Sequence, residues 1–435
     1  MNSKSQESWN LGGMAGSLPL VSTVFEAPCA ETRGSVGAMP YGLRSVPGSA
    51  TATGGNHGAD LGRKQSVMRI KELDGLRGIA VLAVIVYHYF PWLPITGSAY
   101  GWLGVDLFFV LSGFLITSIL LGLREQEHYF TIFYSRRILR VFPPYYLGLA
   151  VYMAVCAVQG RMGAFALWLP YLFYYTSLYV HDPMQVHGVT QDLPTAVVHG
   201  LGVLWSLSVE EVYYTIWAPI VRFMKKRTFA ATLIAMIIAA PSLRWMWYSP
   251  GHLEYFIFYC RMDALAYGSA VALLIRHRRV SPVAWAGRDR LFDWLAVVVI
   301  PCAAVFFLIA GGSPDNHYVE TVGVLLADLS FALATYAVIR KSGGDQLWVR
   351  LLRARWLRSV GMVSYSLYLF HYPLLVVSHD LVVKLHLPRR VDAVSTDLLG
   401  LALTFAVAYG LWYGMESRIL HWKDRKVPSP AHAEA

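Results

Sequence analysis

Charged side chains are scarce in this sequence. Aspartate, glutamate, lysine and arginine make up 15% of its 435 residues, whereas hydrophobic residues make up 56%. Soluble domains carry about 25% charged residues, so this composition excludes an ordinary soluble protein and indicates an integral membrane protein with many helices. The alternation of apolar and polar residues that is typical of membrane β-barrels is also missing. The predicted fold class is therefore all-α, a polytopic bundle of transmembrane helices.

Cysteine is scarce as well. Four cysteines are found, none of them in a CxxC motif: Cys29, Cys156, Cys260 and Cys302. This usage predicts neither a disulfide framework nor a thiolate metal site, and we expect no metal. The formal net charge of +10 comes from basic clusters in short loops. That pattern is typical of cytoplasmic loops beside a lipid bilayer and argues against nucleic acid as a partner.

The first 66 residues lack the apolar core of a signal peptide and are rich in Gly, Ser, Ala and Thr. We interpret residues 1–66 as a disordered cytoplasmic leader. Met68 precedes the first apolar helix by only a few residues, so translation starting there is an alternative to a start at Met1. The membrane domain is expected over residues 67–422, with a short cytoplasmic tail at 423–435.

Eleven apolar segments follow the leader, each about long enough to cross a hydrocarbon layer of roughly 30 Å. They lie near residues 75–92, 101–122, 141–158, 164–180, 203–223, 229–248, 256–275, 291–310, 319–339, 360–383 and 395–416. Basic stretches between them are placed inside by the positive-inside rule. These stretches are Arg136–Arg140, Arg222–Arg227, Arg276–Arg279, Arg350–Arg358 and Lys423–Lys426.

Three of the segments lie between Arg140 and Arg222, where a path from inside to inside needs an even number. We expect 164–180 to be the segment that does not cross, because Pro170 and the Trp and Tyr residues around it favour an interfacial or re-entrant piece. Ten transmembrane helices then remain, with both termini cytoplasmic. The loop at 384–390 falls outside and is the one exception to the rule, since it contains Lys384, Arg389 and Arg390.

The pair Arg77 and His88 stands out in the first apolar segment. Eleven helical residues rise roughly 16 Å and complete about three turns. Both side chains are therefore expected on one face, with Asp74 and Arg77 at one membrane edge and the imidazole deep in the helix. Ionisable groups inside a membrane helix are costly and usually serve function. The structural alternative is a snorkelling arginine and a histidine that hydrogen-bonds a neighbouring helix.

Two further segments carry carboxylates. Glu210 and Glu211 are expected at the start of their segment, where Ser206 shares a helix face with Glu210. Acidic residues at a helix start also have a structural explanation, because they complement the helix dipole and cap free amides. Asp106 lies near the start of the segment that contains Ser112. It is either a buried functional group or a simple N-terminal cap.

Polar residues also mark two later segments. Arg261 and Asp263 open one of them, and we expect an internal ion pair there. In the other, Ser364, Tyr368 and His371 recur at i, i+4 and i+7 and form one polar stripe along an apolar helix. Such a stripe serves either a functional site or structural hydrogen bonds between helices.

Read together, these motifs resemble the acyltransferase 3 family. They are Leu73-Asp-Gly-Leu-Arg77-Gly with His88, Gly104-Val-Asp-Leu-Phe-Phe-Val-Leu-Ser-Gly-Phe-Leu115, Tyr134-Ser-Arg-Arg-Ile-Leu-Arg-Val-Phe-Pro143, Trp205-Ser-Leu-Ser-Val-Glu-Glu211, Arg261-Met-Asp263 and Ser364-Tyr-Ser-Leu-Tyr-Leu-Phe-His371. The resemblance covers roughly residues 68–420 in the expected order. The family comprises membrane O-acyltransferases that acetylate lipopolysaccharide, peptidoglycan and other glycans. Some members carry an appended extracytoplasmic SGNH hydrolase-like domain that this sequence lacks, so we expect transfer within the membrane domain or with a separate partner.

The resemblance implies transfer of an acyl group from a cytoplasmic acyl-CoA, expected to be acetyl-CoA, to a hydroxyl of a cell-envelope glycan or exopolysaccharide at the inner membrane. Such a transfer needs a base and a group that stabilises the oxyanion. His88 is expected to be the base or the acyl carrier, with Glu210 as the carboxylate that orients it. Guanidinium groups at the cytoplasmic face are expected to bind the CoA phosphates: Arg77, Arg136, Arg137 and Arg140.

The residues leave alternatives open. The cluster Arg136–Arg140 is equally an ordinary inside-positive loop. A secondary transporter or a flippase for lipid-linked glycans would use the intramembrane Arg, His and Glu residues as a proton relay. An enzyme of the same family that acylates a small hydrophobic metabolite, such as a macrolide, would differ only in its acceptor.

Overall fold

A computed structural model describes residues 70–91, 98–163, 165–178, 193–248, 253–280, 282–384 and 389–427. The predicted leader at 1–66 lies outside these residues, as does the end of the predicted tail. The described part contains α-helices and no strand. The helices are α1 (Lys71–Tyr89), α2 (Gly104–Leu123), α3 (Tyr129–Val158), α4 (Leu169–Leu172), α5 (Thr195–Gly202), α6 (Trp205–Phe223), α7 (Lys226–Trp247), α8 (Phe258–Val280), α9 (Pro282–Ala310), α10 (Val324–Arg340), α11 (Leu347–Leu352), α12 (Arg355–Met362), α13 (Ser364–Val383), α14 (Arg389–Leu411) and α15 (Ser417–Lys426).

The long helices confirm an all-α, multi-pass membrane protein. Eight helical stretches of the described residues are long and apolar enough to cross a bilayer: Ala99–Leu123, Tyr129–Val158, Arg227–Trp247, Phe258–Arg279, Gly287–Ala310, Val319–Arg340, Ser364–Val383 and Val394–Lys426. Helices α1 and α6 have 19 residues each and are about 28 Å long, but both carry acidic and basic residues. With these two included the number equals the ten crossings predicted, and the crossing of α1 and α6 stays a prediction.

The described residues 165–178 of the predicted segment at 164–180 form no helix that could span a membrane. Its described residues make short helical turns at Phe165–Trp168, at α4 and at Thr176–Leu178. Tyr174 between them has a positive φ of 55°, a conformation in which a helix does not continue. The interpretation of this segment as a piece that does not cross therefore agrees with its structure.

Two of the predicted segments have different boundaries in the structure. Arg136–Arg140 lies inside the 30-residue helix α3 and not in a loop. Carboxylates of neighbouring helices pair with Arg136 and Arg137 within this helix, as described below. The segment at 360–383 is divided into α12 and α13 at Val363, whose φ and ψ of −96° and 9° are not helical.

Close helix contacts through glycine form the centre of the bundle. Helices α2 and α8 approach each other through Gly113 and Gly268, where an added Cβ would overlap the carbonyl groups of Leu265 and Val110. A third glycine, Gly361 of α12, lies directly against the backbone of α1. Small residues let membrane helices pack closely enough for van der Waals contact along their backbones. These contacts pack α1 against α12 and α2 against α8. Helices α1, α2 and α8 carry several of the buried ionisable residues, among them Arg77, Asp106 and Arg261.

The orientation of the loops can be tested by cysteine labelling. We expect a membrane-impermeant maleimide to label Lys384→Cys on intact cells, and to label Lys225→Cys only after the cells are permeabilised. Both side chains are exposed, so reactivity reports the side of the membrane. The exposed Cys302 is replaced by serine in the background. The predicted external stretch at 182–191 lies outside the described residues. Labelling of Lys225→Cys on intact cells would contradict the ten-crossing topology.

Candidate active site

His88 is the penultimate residue of α1, which ends at Tyr89. The expectation of an imidazole deep in its helix is therefore wrong, since the predicted segment ran three residues further. The side chain is nevertheless enclosed, because its ring packs beside His371 with a centroid separation of 4.7 Å. His371 is buried and lies seven residues after the start of α13.

A chain of hydrogen bonds runs through the two histidines. The Nδ1 atom of His88 lies 3.0 Å from the carbonyl oxygen of Val84 and 3.0 Å from Nε2 of His371. The Nδ1 atom of His371 lies 2.6 Å from the carbonyl oxygen of Tyr368. The remaining ring nitrogen, Nε2 of His88, is buried and has no hydrogen-bond partner among the residues that the structure describes.

The position of this pair depends on Tyr89. Its hydroxyl donates to the carbonyl oxygen of His371 at 2.6 Å and lies 2.8 Å from the hydroxyl of Thr404 in α14. The end of α1 is thereby attached to both α13 and α14. Nothing in the sequence indicated this role, because a tyrosine in an apolar helix has many possible partners.

Two aromatic side chains beside His88 were also missed by sequence reasoning. The ring of Tyr372 lies 4.6 Å from that of His88, and the ring of His199 lies 4.6 Å from that of Tyr372. Both residues are half-buried. Tyr372 directly follows the predicted stripe in α13, which is a usable signal. His199 lies in the short helix α5, outside every apolar segment, and no signal marked it.

The carboxylates of α6 pair with an arginine of α3. Arg137 lies 2.9 Å from Glu211 and 3.6 Å from Glu210, and its guanidinium lies over the ring of Tyr214 at 3.5 Å. Within the described residues the hydrogen bonds of His88 go to Val84 and His371, so the expected contact between His88 and Glu210 is not formed there. The capping explanation is also wrong, because α6 begins at Trp205 and has no acidic residue in its first turn.

The arginines expected to bind CoA phosphates lie on two helices, Arg77 on α1 and Arg136, Arg137 and Arg140 on α3. Arg136 pairs with Asp424 of α15 at 2.8 Å, which attaches the C-terminal helix to α3. Arg137 is buried in the pair with α6, and Arg140 is half-buried. At the start of α1, both Asp74 and Arg77 are buried, with 3% and 2% of their surface exposed.

A second cluster of buried charges lies between α2, α7, α8 and α10. Arg261 pairs with Asp106, and Arg244 pairs with Asp263 through both carboxylate oxygens at 3.0 and 2.7 Å. Arg261 and Asp263 thus bind partners on other helices and do not pair with each other. Asp328 of α10 is fully buried within electrostatic reach of both arginines. Arg244 and Asp328 were missed, although a single charge in an apolar segment is a signal for function or pairing.

The remaining predicted polar residues are buried and spread over three helices. Ser112 lies in α2, Ser206 lies one residue after the start of α6, and Ser364 begins α13. Tyr368 lies in α13 with its ring 4.9 Å from that of His371. The stripe of Ser364, Tyr368 and His371 is therefore buried on one helix, as predicted, and His371 is its member at the candidate site.

A family model described as an acyltransferase domain, that of the acyltransferase 3 family, matches residues 70–413. The chain belongs to this family. The matched range contains every element of the site, from the histidine pair to both clusters of buried charges. The acyltransferase domain thus accounts for nearly all of the described structure.

Curated relatives of this acyltransferase domain include three proteins named as O-acetyltransferases, of which YrhL carries the name of a putative peptidoglycan O-acetyltransferase. The chain is 29% identical over 366 residues to the peptidoglycan O-acetyltransferase OatA of Listeria monocytogenes, with 78% of this chain and 54% of that protein covered. It is 27% identical over 360 residues to the O-acetyltransferase OatA of Staphylococcus aureus, with 78% and 55% covered. YrhL of Bacillus subtilis is 30% identical over 329 residues, with 71% and 49% covered.

The chain spans about half the length of these curated relatives. No solved structure gives a significant match to it. Among the residues that the structure describes, no group of three or more His, Cys, Asp or Glu side chains could hold a metal ion. Within the described residues, Nε2 of His88 is a buried ring nitrogen of the site that has no hydrogen-bond partner.

Proposed function

We propose that this protein is an O-acetyltransferase that moves an acetyl group from cytoplasmic acetyl-CoA to a hydroxyl of a cell-envelope glycan, at the inner membrane and with both termini cytoplasmic. The observation that carries the proposal is the buried Nε2 atom of His88, which has no hydrogen-bond partner among the described residues and lies inside an acyltransferase domain. Similarity to proteins named as peptidoglycan O-acetyltransferases supports a glycan as the acceptor.

The proposed reaction is a single acyl transfer. His88 takes the proton of the acceptor hydroxyl, and the hydroxyl oxygen attacks the thioester carbonyl. The new C–O bond forms, the C–S bond breaks, and the CoA sulfur leaves with the proton that the imidazole returns. In the second form of the proposal His88 itself carries the acetyl group between donor and acceptor. A half-buried imidazole with one basic nitrogen suits either form.

Arg77 is proposed to hold the charged end of the donor. Its guanidinium is buried and lies eleven residues before His88 on the same helix, so only a donor that enters the bundle reaches it. A guanidinium binds phosphate with two parallel hydrogen bonds, which an ammonium cannot reproduce. The pairing of Arg136 with Asp424 and of Arg137 with Glu211 favours structural roles for these two residues.

Replacement of Arg77 by lysine is expected to raise the KM for acetyl-CoA. Each lost charge-assisted hydrogen bond corresponds to roughly 1.5–3 kcal/mol, or on the order of ten- to a hundredfold in affinity. Purified protein in lipid nanodiscs is given radiolabelled acetyl-CoA, and release of free CoA and labelling of the acceptor are measured together. Arg355→Lys on the exposed side of α12 is the matched control and is expected to leave KM unchanged.

The acceptor is identified in the same assay by supplying peptidoglycan fragments, a lipid-linked glycan and a macrolide in parallel. We expect labelled ester on a glycan and none on the macrolide. Labelling of the macrolide alone would contradict the glycan acceptor and identify a small metabolite as the acceptor. If the wild-type protein neither binds nor consumes acetyl-CoA while proton flux follows a solute across the membrane, the transferase proposal is wrong and a transporter takes its place.

A further inference from the structure

The hydrogen bonds of the histidine pair define which nitrogen carries each proton. A carbonyl oxygen only accepts, so Nδ1 of His371, 2.6 Å from the carbonyl of Tyr368, must carry a hydrogen. In a neutral imidazole the other nitrogen is then an acceptor. Nε2 of His371 therefore accepts a hydrogen bond, and its partner at 3.0 Å is Nδ1 of His88.

The same rule applies to the first histidine. Nδ1 of His88 faces two acceptors, the carbonyl oxygen of Val84 and Nε2 of His371, each at 3.0 Å. It must carry the hydrogen, and the lone pair of neutral His88 is left on Nε2. This is the buried atom without a partner in the described part of the chain. The tautomer follows from the hydrogen-bond geometry of the two neutral rings, and it leaves Nε2 as the basic nitrogen of His88.

We propose that His371 is a positioning residue for His88: it accepts the Nδ1 hydrogen, holds the ring orientation and leaves Nε2 as the only nitrogen that can take the acceptor's proton or the acetyl group. This inference rests on the proposed function for its catalytic meaning. Hydrolases with a catalytic histidine use a carboxylate for the same purpose. Here a neutral imidazole does so, while the carboxylates of Glu210 and Glu211 in α6 are paired with Arg137.

The surroundings of His371 support a fixed acceptor. The residue is fully buried, and its own carbonyl oxygen accepts the hydroxyl of Tyr89, which directly follows His88 in α1. Two hydrogen bonds therefore join the end of α1 to this one residue of α13. A ring held from both its backbone and its side chain loses little freedom when the partner ring binds, which is the condition for an orienting group.

Two substitutions at 371 separate an acceptor from a packing role. The Oε1 atom of glutamine reaches about as far as Nε2 of histidine, whereas the shorter asparagine reaches only as far as Nδ1. We expect His371→Gln to retain most of the activity. His371→Asn is expected to lower kcat by a factor on the order of 10²–10⁴, with the KM for acetyl-CoA changed by less than about threefold. His379→Asn, exposed on the same helix, is the matched control.

The tautomer itself is measured by nitrogen NMR of histidine-labelled protein in nanodiscs, with the His88 signal assigned by its loss in His88→Gln. We expect wild-type His88 to carry its hydrogen on Nδ1, and His371→Asn to show a mixture of both tautomers. A hydrogen on Nε2 of wild-type His88 would overturn the inference. Equal losses of kcat in His371→Gln and His371→Asn, at equal amounts of folded protein, would overturn it as well.

The transfer assay and the NMR measurement distinguish the role of His371 from the proposed function. A wild-type protein that transfers acetyl to no acceptor would refute the transferase, and the NMR result would still decide the tautomer. A wild-type protein that transfers acetyl normally but carries its His88 hydrogen on Nε2 would leave the transferase intact and refute the role of His371.

Discussion

Replacement of His88 by alanine is expected to lower acetyl transfer by a factor on the order of 10²–10⁴, because general-base catalysis contributes about that much. If His88 carries the acetyl group, transfer is abolished. The protein is expected to insert and fold, since the neighbouring Tyr89 keeps its hydrogen bonds to His371 and Thr404. The measurement is labelled ester formed on the glycan acceptor at equal amounts of protein in the membrane.

A glutamine at the same position separates chemistry from packing. His88→Gln keeps most of the volume and the hydrogen-bonding capacity of histidine but cannot take up a proton near pH 7. We expect it to be as inactive as His88→Ala. Retention of activity in His88→Gln would show that the imidazole only supports the helix contact. His379→Ala, whose side chain is 64% exposed on α13, is the control for loss of a histidine in general.

The second large effect is expected on stability, in the cluster between α2, α7, α8 and α10. Three buried carboxylates, Asp106, Asp263 and Asp328, face two buried guanidinium groups, Arg244 and Arg261. Removal of one cation leaves three carboxylates with a single partner. Removal of one carboxylate leaves equal numbers of both charges. The cluster therefore predicts an asymmetry between the two kinds of substitution.

Arg261→Met is expected to reduce the free energy of unfolding by about 3–5 kcal/mol, the usual cost of leaving a buried charge without its partner. Asp106→Asn is expected to cost less, because Arg261 still lies within reach of the carboxylate of Asp328. Asp328→Asn is expected to be neutral or stabilising, since neither of its carboxylate oxygens has a hydrogen-bond partner within the described residues. Unfolding in mild detergent is followed by tryptophan fluorescence.

The control for this series is a pair at the surface. Glu125 lies 3.9 Å from Arg124, and its side chain is 93% exposed. Glu125→Gln is expected to leave the free energy of unfolding unchanged, because solvent screens the attraction between two exposed charges. The charges of the cluster predict that loss of an arginine destabilises the protein more than loss of a carboxylate. A destabilisation by Asp106→Asn equal to or larger than that by Arg261→Met would contradict this prediction.

The candidate site was predictable in its residue types and only partly in its pairing. The aligned positions of Arg77 and His88 follow from helical periodicity, and the stripe of Ser364, Tyr368 and His371 follows from the same rule. The contacts between the polar residues of α1, α6 and α13 depend on how these three helices pack against one another. Glu210 was assigned to His88 because it is a carboxylate in an apolar segment, and the structure pairs it with Arg137 instead.

The sequence by itself determined that this is an all-α membrane protein, that the segment described over 165–178 is no spanning helix, and that its motifs are those of the acyltransferase 3 family. These features depend on composition, segment length and local order, which are properties of the chain alone. Only the tertiary structure decided that His371 pairs with His88 and that Arg261 and Asp263 bind different partners. The contacts of His371 with His88 and of Arg261 with Asp106 join residues more than 150 positions apart. A buried polar group pairs with whatever partner the helix packing brings within hydrogen-bond distance.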